Sequence, residues 1–155
     1  MNEIELKKRT KQFALRVIRL IAALPKTVEG RAIANQLVRS GTSVGANYRA
    51  ACRGRSKPEF VAKLGAVEEE ADESAFWMEL IIEGQLMKPK QVELLLQEAN
   101  ELLAIMVSSR KSASSGGSAQ IKNQKSQIKN PSPVRAAWGG RAPETPRRRG
   151  RTPPL

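Results

Sequence analysis

The sequence predicts an all-α protein, an antiparallel up-and-down four-helix bundle followed by a disordered basic C-terminal tail. Four segments between residues 4 and 108 repeat their apolar residues every three or four positions, which is typical of amphipathic helices. No segment shows the strict alternation of apolar and polar residues that a half-buried strand requires. The segments are joined by short connections, which favours antiparallel neighbours packed in one domain.

The first two predicted helices are bounded by a proline. The first covers Ile4 to Leu24 and ends at Pro25, which cannot continue a helix. The second covers Glu29 to Arg53. The predicted core face of the first helix is one stripe of large apolar residues: Leu6, Phe13, Val17, Leu20 and Leu24.

The third predicted helix begins with a capping box formed by Ser56 and Glu59, with Pro58 in its first turn. Its apolar seam runs from Phe60 to Ile81 at spacings of four and three, and Gly84 interrupts it. The fourth predicted helix runs from Pro89 to Ser108. Its seam consists of Val92, Leu95, Ala99, Leu102 and Met106.

The charge is divided unevenly along the chain. Residues 1–107 carry 16 Lys+Arg and 14 Asp+Glu, whereas residues 108–155 carry 11 Lys+Arg and a single acid. The C-terminal part is also rich in proline and glycine and has few large apolar residues, so it cannot bury enough surface to fold. We therefore expect a bundle over residues 1–110 and a disordered tail over residues 111–155. The tail is either a solvated extension or a second basic contact through "RRRGR".

The composition excludes several classes of function. The chain contains no histidine, which removes histidine bases, histidine metal ligands and the Ser-His-Asp triad. Its single cysteine, Cys52, cannot form an intramolecular disulfide, which fits a reducing cytoplasmic setting. The N-terminus does not resemble a signal peptide, and apolar runs such as "IAALP" are too short to span a bilayer. We expect no membrane association.

The second predicted helix combines small residues with arginines. Glycine, alanine and serine crowd the stretch from Ser40 to Ala51, which indicates close approach of a neighbouring helix or of a second subunit. At about 100° per residue, its arginines fall on one stripe nearly opposite the core face. The stripe and its continuation comprise Arg31, Arg39, Arg49, Arg53, Arg55 and Lys57.

Two interpretations of this basic stripe remain open. It is either a solvated face that pairs with acids on a neighbouring helix, or a surface that contacts phosphates, since arginine matches phosphate geometry with a bidentate fork. The second helix contains no acid after Glu29 that could pair with the arginines one turn away. This absence favours the phosphate-binding interpretation.

The acidic run from Glu68 to Glu73 is the only cluster that suggests metal-dependent catalysis, as in two-metal nucleases. On the helical wheel, however, these carboxylates do not converge on one face. A solvated face, or partners for the arginines, is the favoured interpretation. We therefore expect no catalytic residues, no metal and no cofactor.

A second apolar patch lies on the third predicted helix, away from its seam. It contains Phe76, Trp77 and Leu80, and Phe76 falls almost directly opposite the seam. An exposed aromatic and aliphatic cluster of this kind usually marks an interface, so these residues are candidates for an oligomer contact.

The stretch from Arg39 to Ile81 resembles the 23S rRNA intervening-sequence protein family. The pattern "RS-x-x-SV-x-x-N" matches between Arg39 and Asn47, and "EF-x-x-KL…EEEADES…W" matches between Glu59 and Trp77. The resemblance covers about residues 5–111. The chain departs from the family near Ala50, where many members carry a glutamate in an "N-I-x-E-G"-like sequence.

The resemblance implies an up-and-down four-helix bundle that forms homopentamers and has no established enzymatic activity. It also implies similarity to the accessory protein of diversity-generating retroelements, which binds nucleic acid and a reverse transcriptase. We therefore predict a non-enzymatic, oligomeric bundle that binds RNA or DNA through the basic stripe. The alternative is a structural adaptor that binds a protein partner without contacting nucleic acid.

Overall fold

The computed structural model describes residues 1–128, with side chains described through residue 116. Its four helices are α1 (Glu3–Ala22), α2 (Val28–Cys52), α3 (Lys57–Glu83) and α4 (Glu93–Ile128). One 3₁₀ turn, Pro89–Gln91, precedes α4. Residues 1–128 contain no strand. The predicted all-α four-helix bundle is confirmed.

Helices adjacent in sequence pack against each other, and α1 also contacts α4, so α1 and α3 lie on opposite sides of the bundle. The short connections make consecutive helices antiparallel. The predicted stripes of α1, α3 and α4 form one shared hydrophobic core with α2. Its largest fully buried apolar side chains are Phe13, Leu37, Leu64, Met78, Ile81, Leu102 and Met106.

The glycines of α2 allow α1 to approach closely. A Cβ atom at Gly41 would lie 2.8 Å from both Cγ atoms of the buried Val17, and one at Gly45 would lie 3.4 Å from the Thr10 carbonyl oxygen. On the other side of α2, the buried Ser40 hydroxyl lies 3.0 Å from that of Ser74 in α3. The close packing expected from the small residues is therefore satisfied within one chain.

The helix ends differ in detail from the sequence expectation. The Ser56 hydroxyl accepts from the Glu59 N–H, but the Glu59 carboxylate accepts from the N–H of Arg55, one residue before the cap. At the end of α3 the left-handed residue is Gln85, with φ of 58°, whereas Gly84 remains right-handed. The Leu86 N–H returns to the Ile81 carbonyl at 3.0 Å and closes a Schellman motif.

Helix α4 extends to Ile128, well beyond the end expected near Ser108. Beyond the last core residue, Met106, α4 continues through a segment rich in serine, and no residue from 107 to 116 is buried. The expected division into a bundle and a disordered tail at residue 110 stays a prediction. Residues 129–155, which include the "RRRGR" run, lie outside the described residues. Over residues 1–128 no helix has the length and apolar character needed to cross a membrane.

Candidate nucleic-acid interface

A basic groove of about 650 Å³ runs between α1 and α2 on the outside of the bundle. Five of its lining residues are cationic, and the other four are small. We call it the basic groove, and it is lined by Lys7, Lys8, Lys11, Ala14, Thr42, Gly45, Ala46, Arg49 and Arg53. None of these described lining residues is acidic.

The helical repeat places the cations on both walls of the groove. Lys7 and Lys11 stand one turn apart on α1, and Arg49 and Arg53 stand one turn apart on α2. Between them, the close approach of Gly45 to the Thr10 backbone leaves a floor of small side chains. Extended cationic side chains over a shallow apolar floor suit an elongated polyanion better than a compact ligand.

Most of these cations have no acidic partner. Lys7 forms an ion pair with Glu3 at 2.5 Å, one turn away in the exposed part of α1. Within the part of the chain that the structure describes, Lys8, Lys11, Arg49 and Arg53 form no ion pair within 4 Å. Their like charges repel one another, so an anion entering the groove would relieve that repulsion.

The structure brings only two of the six stripe residues into this groove. All six are exposed, and no ion pair involves them among the described residues. Arg49 and Arg53 line the groove, whereas Arg31 lies about 27 Å away along the α2 axis, at 1.5 Å per residue. Arg55 lies in the turn between α2 and α3, and Lys57 is the first residue of α3.

Arg39 lies on the α3 side of α2, within electrostatic reach of Glu70. Partial burial and the neighbouring Glu73 raise the pKa of the Glu70 carboxyl, and Arg39 only partly offsets this. Of the six residues, Arg39 is thus the one that fits the acid-pairing interpretation best.

The lysines of α1 were missed by the sequence analysis. Their signal was the run "KKRTK" at residues 7–11, but a charge run does not show which members face the same way. Lys7, Lys8 and Lys11 line the groove. Arg9 instead faces the neighbouring helix α4 and binds Glu98 and Glu101, with Nε 2.7 Å from Glu98 Oε1. Only the packing of α1 against α4 separates these two roles.

The acidic run on α3 is dispersed, as the helical wheel predicts. Glu68 is buried and binds Arg110 of α4 at 2.7 Å, and Glu73 accepts the Trp77 indole N–H at 3.1 Å. Glu69 and Asp72 are exposed. Among the described residues, no three potential metal ligands of the Asp, Glu, Cys or His types lie together.

The predicted apolar patch on α3 is only partly solvent-exposed. Phe76 is 48% exposed, whereas Trp77 is half-buried against the core and meets Phe76 edge to face, with ring centroids 5.1 Å apart. Leu80 is half-buried as well. Phe76 is therefore the centre of the patch, and Trp77 mainly supports it from below.

Comparison with known proteins identifies relatives of the bundle. A protein of unknown function from the S23 ribosomal protein family of Bacteroides thetaiotaomicron VPI-5482, with a crystal structure at 1.70 Å resolution, is 31% identical. The similarity covers 72% of this chain and 99% of that chain, with a TM-score of 0.66. No protein of curated function matches the chain.

The family model for the 23S rRNA-intervening sequence proteins matches residues 2–108, which span all of the bundle core. The match begins at the cap of α1 and ends just beyond Met106, the last core residue of α4. It agrees with the resemblance carried by residues 39–81. The chain belongs to the 23S rRNA-intervening sequence protein family.

Proposed function

We propose that this protein is a non-enzymatic, oligomeric bundle of the cytoplasm that binds RNA or DNA through the basic groove. The observation that carries the proposal is the set of five cations on two helix walls, of which four lack an acidic partner among the described residues. Lysine and arginine side chains that release counterions from phosphates supply most of the free energy of sequence-independent nucleic-acid binding. Of the six stripe residues, Arg49 and Arg53 form the centre of the site, and Arg55 and Lys57 extend it beyond the end of α2, whereas Arg31 and Arg39 lie apart from the groove.

Oligomerisation through Phe76, Trp77 and Leu80 is the second part of the proposal. Phe76 is 48% exposed and adjoins the half-buried Trp77 and Leu80, and a second copy would cover this apolar patch. The number of copies that we propose, five, rests on the family resemblance. It also motivates a role like that of the retroelement accessory protein, in which nucleic acid and a protein partner are held together.

The groove is tested by two double variants that change the charge equally. Arg49→Gln with Arg53→Gln removes two groove cations, and Lys26→Gln with Lys90→Gln removes two exposed cations at the opposite end of the bundle. Binding of a structured RNA and of a duplex DNA is measured by fluorescence anisotropy at several salt concentrations. The groove variant should reduce the slope of log affinity against log salt by about 0.9 for each duplex phosphate that it no longer neutralises.

At about 0.1 M salt, each phosphate left without its cation should weaken binding by about tenfold, whereas the control variant should bind as the wild type does. Equally weakened binding in both variants would show a diffuse charge effect and refute the groove. If the wild type binds neither nucleic acid, the adaptor alternative replaces the proposal.

A further inference from the structure

The outward face of α3 joins its apolar patch to a field of acids. Phe76 lies at the centre, and four exposed carboxylates fall within about 60° of it on the helical wheel. These are Glu69, Asp72, Glu79 and Glu83. None of them forms an ion pair within the described part of the chain.

The outward face of α1, on the opposite side of the bundle, has the reverse composition. Leu15 is 37% exposed and Ile18 is 45% exposed. Three exposed cations lie within about 60° of Leu15 on the helical wheel: Lys8, Lys11 and Arg19. Helix α1, all of which the structure describes, has no acid in that range. These cations also lack an ion pair among the described residues.

The two faces stand at the same height in the bundle. Gly41 of α2 packs on Val17 of α1, while the preceding residue, Ser40, contacts Ser74 of α3. Val17 and Ser74 therefore belong to one layer of the bundle. Leu15 and Ile18 are close to Val17 along α1, and Phe76 is close to Ser74 along α3. The helices α1 and α3 also run in the same direction. If the α1 face of one copy contacted the α3 face of the next, the two copies would therefore be shifted little relative to each other along the helix axes.

We infer that the α1 face of one copy docks on the α3 face of a second copy, head to tail. Neither face complements itself, since two α1 faces would oppose cations and two α3 faces would oppose acids. A head-to-tail contact closes into a ring when there is no rise along the axis and each copy is also rotated relative to the next about an axis parallel to the helices; without that rotation it forms an open filament. The inference rests on the proposed oligomer and adds the surface that covers Phe76.

The α1 face shares Lys8 and Lys11 with the basic groove, so in the assembly these two lysines face the acids of the next copy, and Lys7, Arg49 and Arg53 remain for the nucleic acid. The test therefore leaves the cations intact and alters the apolar residues. Leu15→Glu with Ile18→Glu disables the α1 face, and Phe76→Glu with Leu80→Glu disables the α3 face. Val28→Glu with Leu94→Glu is the matched control, because Val28 is 84% exposed and Leu94 is 70% exposed on α2 and α4.

Mass is measured by light scattering after size exclusion, with circular dichroism to verify folding. The wild type and the control should assemble, and each disabled variant alone should run as a monomer of 17.0 kDa. An equimolar mixture of the two disabled variants retains one intact α1 face and one intact α3 face. It should form a dimer of twice the chain mass and nothing larger.

Three results would overturn the inference while the proposed oligomer survives. These are normal assembly of the α1 variant, dimers of the α1 variant alone through two α3 faces, and a mixture that stays monomeric. A monomeric wild type would instead refute the proposed oligomer itself. If a disabled variant loses its helical signal, Leu15→Gln or Phe76→Gln replaces it in the same mixture.

Discussion

Two sides of the bundle use their charges in opposite ways. On the α1–α2 side, Lys8, Lys11, Arg49 and Arg53 surround a groove without an ion-pair partner among the described residues. On the side of α4, two cations are neutralised at its contacts with α1 and α3. Arg9 binds Glu98 and Glu101, and Arg110 binds the buried Glu68.

This difference separates charges that stabilise the fold from charges available to a ligand. The hydrogen bond to Glu98 raises the pKa of the Arg9 guanidinium above its usual value, so the guanidinium stays charged at every accessible pH. The groove cations gain nothing comparable within one chain. Their proximity costs free energy in the unbound protein, and an incoming phosphate backbone would offset that cost.

The largest expected effect disturbs the close packing of α2 on α1 in the core. Gly41→Ala places a Cβ atom 2.8 Å from the Cγ atoms of Val17, which is fully buried and cannot move aside. We expect the free energy of unfolding in urea to fall by about 1–3 kcal/mol. Gly65→Ala is the control, since its Cβ atom meets nothing within 4 Å, and it should stabilise α3 by about 0.5–1 kcal/mol. Equal effects of the two changes would refute the packing role of Gly41.

The next effect sharpens the division between paired and unpaired cations. Arg9→Gln leaves Glu98 and Glu101 without their partner at the α1–α4 contact, and should lower the free energy of unfolding by about 1–2 kcal/mol. Lys7→Gln removes only an exposed ion pair with Glu3 and should change the free energy of unfolding by less than about 0.5 kcal/mol.

In the anisotropy assay the order of these two variants should reverse. Lys7 lines the basic groove, so Lys7→Gln should weaken nucleic-acid binding, whereas Arg9→Gln should leave it unchanged once the protein is folded. Weakened binding in the Arg9 variant alone would contradict the division of the charges.

The smallest effect concerns Glu70 of α3, which lies near Arg39 of α2. Partial burial and the neighbouring Glu73 raise the pKa of its carboxyl. The folded state therefore favours the protonated form, and stability is lost as pH rises from the ordinary Glu value of about 4.3 through the raised pKa. Glu70→Gln should raise the melting temperature slightly at neutral pH and leave it unchanged near pH 4. A gain of equal size at both pH values would exclude titration of Glu70 as the cause.

The sequence was sufficient for the helices because their signals are local. The three- and four-residue spacing of Phe13, Val17 and Leu20 marks a buried face whatever the neighbour is. The same holds for the capping role of Ser56. Local signals were less decisive at the ends. The left-handed position after a helix is usually a glycine, yet Gly84 stays right-handed and Gln85 takes that position, from which Leu86 returns to the core.

The sequence by itself determined the all-α bundle, the small-residue contact of α2 and the exposure of Phe76, since each depends on periodicity along one helix. Only the tertiary structure decided which cations belong together. Arg9 lies within the same "KKRTK" run as Lys7 and Lys11, and Arg31 shares the stripe of Arg49. The packing of α1 on α2 joins Lys7 and Lys11 to Arg49, while the contact with α4 removes Arg9. Electrostatic interactions depend on distance in space, and spacing along the chain fixes that distance only within one helix.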